Sequence, residues 1–178
     1  MDLSSSTNIF ILNLAFADFL YCAINFPLYA WQYFQGSWPG NELSCKVNAA
    51  FGYLNVFSAL MSVAMIAISR CITLTSPNFG KRLFSGYKGF YACVLIWIYA
   101  NVLLSPIYAK VIGEFGWNCM YGKCDFIPLR NSTFDPRAMI FAIGVFSPGI
   151  ITFVSYAMIG YIVLSSPHLP FLRRHGTT

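Results

Sequence analysis

The sequence predicts an all-α membrane protein with four transmembrane helices, and three observations carry that prediction. Of its 178 residues, 57% are hydrophobic and 18% aromatic, while only 10% are charged, against roughly 25% in an ordinary soluble domain. The charges are also gathered between long apolar stretches. Residues 7–31 hold one acid, Asp18, and no base, and residues 47–68, 89–109 and 138–167 hold no charged side chain. About 20 apolar residues in a helix cross a ~30 Å hydrocarbon core, and in that core only helices or closed barrels pair every backbone polar group. Finally, runs such as Ala64-Met65-Ile66-Ala67-Ile68 and Val94-Leu95-Ile96-Trp97-Ile98 lack the polar–apolar alternation of barrel strands.

The same composition excludes several classes. A disordered chain would be charged and poor in aromatics. A soluble enzyme would need more polar side chains to cover its surface. Nucleic acid is not an expected partner, because the net charge of +5 is not gathered into a basic stripe. The only histidines, His168 and His175, lie near the C-terminal end, so no Ser-His-Asp triad or His-based metal site sits in the body of the fold. Asp18 has no second intramembrane acid for a catalytic dyad. The expectation is no enzyme, no metal and no cofactor.

One transmembrane domain, 1–178, is expected, with spans at about 7–31, 47–70, 88–109 and 138–164. The first span is too long for a signal-peptide core, has no cationic segment before it and no small-residue cleavage site after it. Outer loops cover 32–46 and 110–137, the inner loop 71–87, and the tail 165–178. Gly36, Pro39 and Gly40 mark a turn. The 110–137 segment is long for a structureless loop, and so is functional or pinned. Pro27, Pro106 and Pro148 each delete a backbone bond inside a span and are expected to kink it. Trp97 reads as a packing residue.

An even number of spans puts both ends on one side, with Arg70, Lys81, Arg82, Lys88, Arg173 and Arg174; the other side holds Lys46, Lys110, Lys123, Arg130 and Arg137. Six against five is too even for the positive-inside rule to decide. Cys45, Cys119 and Cys124 lie on the five-charge side, as does Asn131-Ser132-Thr133, an N-glycosylation acceptor. Disulfides belong to the extracellular face, which places the termini in the cytoplasm. Asp18 costs roughly 2.5–3.5 kcal/mol near the middle of a span, and should face the bundle or a water-filled cavity. The plainer alternative is a protonated acid bonded to a neighbouring helix. Arg70 ends the second span, where it reads as a functional cation or as a snorkelling anchor.

Together these residues carry a resemblance. Asn13-Leu14-Ala15-Phe16-Ala17-Asp18 resembles the second-helix signature of rhodopsin-class (class A) G-protein-coupled receptors. Trp38 followed by Cys45 is similar to that family's first extracellular loop and the top of its third helix. Arg70, 25 residues after Cys45, has the family's spacing; Trp97 and Pro106 resemble its fourth helix; Pro148 and Tyr156, eight apart, resemble its fifth. The likeness runs from about Thr7 to Leu164. Gly113-Glu114-Phe115-Gly116-Trp117 and Gly122-Lys123-Cys124 resemble the invertebrate Moody and Trapped-in-endoderm group.

The resemblance implies helices two to five of a seven-helix receptor bundle, a partial chain from a partial gene model or a splice form. It implies signal transduction from an extracellular ligand to a heterotrimeric G protein by the complete receptor in the plasma membrane. Without the sixth helix, which moves in activation, the 178 residues alone are expected to insert in the bilayer but not to signal. Retention in the endoplasmic reticulum, or association with a full-length receptor, is then expected. The family pattern also implies a Cys45–Cys124 disulfide, since Gly122-Lys123-Cys124 fits it better than Cys119, whose role stays open.

Departures from the pattern matter as much. The family's Asp/Glu-Arg-Tyr is Ser69-Arg70-Cys71 here, so the acid that restrains the Arg is missing and basal activity is expected to rise. Tyr156 is expected to swing toward Arg70 on activation. The position of the aminergic Asp is Gly52, which disfavours a monoamine ligand. Asp18 belongs to a sodium pocket in the family, but the third-helix Ser is Ala59 here, which argues against sodium. By position the ligand pocket involves Tyr53, Val56, Phe57, Ile140, Phe141 and Gly144. These mostly apolar residues suggest a lipid-like or apolar ligand and are equally ordinary core residues. The alternative class is a tetraspanin-like four-span scaffold, but no Cys-Cys-Gly motif occurs in the second outer loop.

Overall fold

The computed structural model describes residues 3–84, 87–128 and 136–165. Among these are four helical segments long and apolar enough to cross a membrane, Thr7–Gln35, Glu42–Thr75, Lys88–Tyr108 and Ala138–Ser165. The first consists of α1 (Leu3–Leu20), a π-helical turn (Tyr21–Asn25) and α2 (Phe26–Gln35). Gly36 ends α2 in the left-handed conformation, φ 65°, its N–H returning to the Gln32 carbonyl. This is the C-terminal stop that glycine favours. Asn41 then caps α3 (Glu42–Thr75) by accepting a bond from the Ser44 N–H at 2.8 Å, and the Trp38 indole N–H donates to Ser44 Oγ at 2.8 Å. The turn between the two spans is thus stapled to the helix that follows.

The 34 residues of α3 reach about 50 Å at 1.5 Å per residue, longer than a hydrocarbon core, so the helix runs beyond the expected 47–70 at both ends. It is the central element, packing on α1, α5, α7 and the hairpin. Its buried positions are mostly small: Cys45, Ala49, Gly52, Ser58, Ser62, Ala64, Ala67 and Ser69. Small side chains let helix backbones approach in lipid, where hydrophobic burial does not drive association. The connection expected as an inner loop contains a helix, α4 (Pro77–Phe84), started by a proline at the first helical position, where its missing N–H has no partner to lose. α5 (Lys88–Tyr108) follows. Pro106 lies in its last turn, so it terminates α5 instead of kinking a longer helix.

Inside the second outer loop is a two-stranded antiparallel hairpin, β1 (Gly113–Asn118) and β2 (Lys123–Pro128), in register from Gly113↔Pro128 to Asn118↔Lys123. Its turn is closed by the Met120 N–H donating to Asn118 Oδ1 at 3.0 Å and by Gly122 at φ 60°. The last span is α6 (Pro136–Phe141), a second π-helical turn (Ala142–Phe146) and α7 (Ser147–Ser165).

Both π turns lie just before a proline, and each inserts one residue into the helical repeat. The effect on the first span is visible in its buried face. Phe10 and Ala17 are buried, but the next inward residue is Asn25, not Ile24, and the face continues at Gln32. An α-helix repeats its face at about seven residues, because successive side chains are rotated about 100°; the extra residue shifts everything downstream by that step. In the fourth span, the π register would pair the Ile143 carbonyl with Pro148, which has no N–H. That carbonyl instead accepts from Ser147 Oγ and from the Tyr99 hydroxyl of α5 at 3.3 Å.

Two apolar clusters fill the bundle. Phe57, Leu104, Ile107, Phe115, Phe126 and Ile140 pack around the hairpin end. Phe10, Phe84, Cys93 and Ile96 pack at the other. Between them Asn13 joins three spans, donating to Ser62 Oγ at 2.8 Å while its Oδ1 accepts the Trp97 indole N–H at 3.0 Å. Trp97 is therefore a polar cross-link as well as a packing residue.

Candidate functional site

At the hairpin end a cavity of ≈ 460 Å³ opens between α2, α3, α6 and the hairpin. Cys45, in the first turns of α3, is bonded to Cys124 of β2 with a Cα–Cα separation of 5.4 Å, and the other outer cysteine, Cys119, is a free, exposed thiol in the hairpin turn. The bond brings β2 against the cavity, where Cys124 and Asp125 form part of its wall. The Asp125 carboxylate is buried and its oxygens are engaged. Oδ1 accepts from the Tyr53 hydroxyl at 2.6 Å and from the Phe126 N–H at 2.8 Å, and Oδ2 is 3.1 Å from Lys123 Nζ. The Cys124 N–H approaches Gln32 Oε1 at 3.4 Å. The hairpin is thereby tied to both the first and second spans.

Of the pocket residues expected from the sequence, Tyr53, Val56, Phe57 and Phe141 line the cavity. Ile140 and Gly144 do not. Ile140 is turned into the apolar cluster, and Gly144 is covered by the Phe57 ring, which a Cβ at position 144 would meet at 2.4 Å. The cavity wall is also more polar than expected. Tyr21, Tyr29, Gln32, Tyr121 and Asp125 contribute to it. Asn25, Tyr29 and Gln32 repeat at helical spacing near the end of the first span, and Tyr29 and Gln32 of that stripe face the cavity. Gly52 lies against Tyr29, whose hydroxyl would be 2.7 Å from an added Cβ. Tyr29 therefore fills the space that a side chain at position 52 would need.

Asp18 is exposed among the described residues. Asn25, seven residues on, is buried, because the π turn at Tyr21–Asn25 shifts the register between the two positions. At the opposite end Ser69 is buried and its hydroxyl bonds Thr7 Oγ1 at 3.1 Å, away from Arg70. Arg70 is exposed and belongs to none of the ion pairs among the described residues. The Cys71 thiol approaches Met158 Sδ at 3.4 Å, linking α3 to α7. Tyr156 is exposed, and Pro148 is fully buried. Asn131 lies outside the described residues. Among the described residues no cluster of three or more His, Cys, Asp or Glu is placed to hold a metal.

Membrane-length helices around a cavity, with a loop hairpin disulfide-bonded to the central helix at its mouth, define the class as a helical membrane protein. The sequence profile described as "7 transmembrane receptor (rhodopsin family)" matches residues 1–169, and the chain belongs to that family. It is 26% identical over 171 residues to the G-protein coupled receptor moody of Drosophila pseudoobscura pseudoobscura, covering 94% of this chain and 24% of that protein. It is 26% identical over 159 residues to Protein trapped in endoderm-1 of Drosophila melanogaster, covering 89% of this chain and 40% of the relative. These relatives belong to the group that the Gly113–Trp117 and Gly122–Cys124 segments resemble. The crystal structure of squid rhodopsin superposes with a TM-score of 0.73 at 26% identity, over 89% of this chain and 43% of that one. The chain thus spans between about a quarter and two fifths of these relatives. A four-span scaffold is not favoured.

Proposed function

We propose that this chain is the part of a G-protein-coupled receptor that receives an extracellular ligand beneath the hairpin and presents Arg70 to a heterotrimeric G protein. The observation that carries the proposal is the Cys45–Cys124 bond, which holds the hairpin beside a cavity lined by α2, α3 and α6. A disulfide belongs to an oxidising compartment. The hairpin end is therefore extracellular, with Asn131 as its glycosylation site, and the Arg70 end faces the cytoplasm in a receptor of the plasma membrane.

The ligand is not a monoamine. Tyr29 occupies the space beside Gly52, and the buried acid of the cavity, Asp125, is already engaged by Tyr53, Phe126 and Lys123. Aromatic faces with tyrosine hydroxyls and one amide suit a ligand with an apolar body and a few hydrogen-bonding groups. At the other end, Ser69 satisfies its hydroxyl on Thr7 and carries no charge to restrain Arg70. This supports raised basal activity, with Tyr156 moving toward Arg70 in the active state.

The test is ligand-free binding of a hydrolysis-resistant GTP analogue to G proteins, in membranes holding a complete receptor that carries this segment. Exchange should exceed that of receptor-free membranes, and Arg70→Ala should remove the excess at unchanged surface expression. Equal exchange with and without Arg70 would remove the coupling role.

A further inference from the structure

A second groove lies at the other end of the molecule, on its outer surface. Met65 and Ile68 of α3, Leu83 of α4, and Lys88, Ala92 and Leu95 of α5 border a cavity of ≈ 300 Å³ whose only charged lining residue is Lys88. Helix α4 is amphipathic, and its apolar side is divided. Gly80 and Phe84 are buried, with Phe84 edge-on to Phe10 at 5.8 Å between ring centroids. Phe79 and Leu83, one turn apart, are exposed beside exposed Arg82. Lys88 Nζ donates to the Arg82 carbonyl at 2.8 Å, which holds the ammonium at the groove while leaving two of its three N–H groups for another acceptor. Residues 69–88 contain Arg70, Lys81, Arg82 and Lys88 and no acid.

We infer that this groove binds an anionic phospholipid, with an acyl chain between α3 and α5 and the phosphate at Lys88 and Arg82. The groove is walled by two membrane-length helices, so its occupant must be apolar along its length. The acid-free basic segment at its end selects a negative headgroup. A short helix with exposed Phe and Leu next to cations is the composition that lies in the headgroup boundary, and basic side chains there are drawn to the anionic inner leaflet. The placement of this end in the cytoplasm rests on the function proposed above, but binding in detergent does not depend on it, so the two ideas fail separately.

The experiment is native mass spectrometry of the 178-residue chain in detergent with phosphatidylglycerol or phosphatidylcholine. Phosphatidylglycerol should be retained preferentially. Lys88→Gln should lower its retention about fivefold, the factor expected for one basic side chain at an anionic surface. Arg82→Gln, which keeps the backbone carbonyl that Lys88 uses and lies on an exposed position, should act in the same direction and decides the matter if Lys88→Gln misfolds. Equal retention of the two lipids would overturn the inference, as would displacement by millimolar inorganic phosphate, which would mark a site for the anion alone. Unchanged lipid retention in both variants with weakened G-protein exchange in a complete receptor would assign the surface to protein contact and overturn it equally.

Discussion

The two ends of the bundle are built differently. At the hairpin end, a disulfide, a two-stranded ladder and a carboxylate with its oxygens engaged fix the cavity wall before any ligand arrives. At the Arg70 end the helices share an apolar cluster and a few side-chain bonds such as Thr7 to Ser69 and Cys71 to Met158, and Arg70 and Tyr156 stand exposed. The difference suits the two tasks of the proposed function. A preformed cavity loses little entropy on ordering around a ligand. A coupling face needs groups that are not already committed, so that a partner can select among arrangements of similar energy.

The largest expected effect comes from breaking the pinned end. Cys45→Ser opens a loop spanning a sequence separation of 79, and should destabilise the chain by about 4–5 kcal/mol in the chain-entropy model, seen as a lower thermal midpoint in detergent. Non-reducing peptide mapping of the unaltered chain should give a Cys45–Cys124 cross-link with Cys119 alkylated. A Cys45–Cys119 peptide would contradict the geometry. Next is Gly144→Ala, whose Cβ would meet the Phe57 ring at 2.4 Å. It should cost about 1–3 kcal/mol, as overpacking usually does, whereas Gly149→Ala, with nothing within 4 Å of the new Cβ, should be close to neutral. Equal midpoints for the two would mean that the π turn yields freely. Asn13→Ala leaves the Trp97 indole N–H without its acceptor and should cost about 1–2 kcal/mol, near the upper end for an interhelical bond in a membrane.

At the open end the effect should be on signalling and not on stability. Ser69→Asp supplies a negative charge beside Arg70 and should reduce ligand-free nucleotide exchange in a complete receptor without changing surface expression. Unchanged exchange would show that the missing acid is not what sets basal activity.

Stretches holding at most one charge made the four helices legible, because a span must be predominantly apolar over about 20 residues. The hairpin was not legible. Six-residue strands in a lone pair are marginal by themselves, and Gly113–Asn118 becomes a strand because Phe115 packs on Tyr53 and Tyr108 and Cys124 is bonded to α3. The π turns also escaped the pattern. One inserted residue changes no composition, yet it moves Asn25 inward and alters which side chains reach the cavity. Tyr53, Val56, Phe57 and Phe141, expected from the family's spacing, line the cavity. Ile140 packs in the apolar cluster and Gly144 against the Phe57 ring, contacts that spacing alone does not reveal. The choice of Cys124 over Cys119 came from the resemblance, since three outer cysteines by themselves leave the pairing open.

The central claim is that the hairpin end and the Arg70 end face different compartments, and thiol labelling tests it most directly. Cys119 is a free thiol exposed in the hairpin turn. Intact cells displaying a complete receptor that carries this segment would be treated with a membrane-impermeant maleimide, and the signal compared with that of Cys119→Ser. The account predicts that Cys119 labels without permeabilisation, and that a thiol introduced by Arg82→Cys labels only after it. Labelling of Cys119 only in permeabilised cells, with the Arg82→Cys thiol reached from outside, would contradict the orientation and the function built on it.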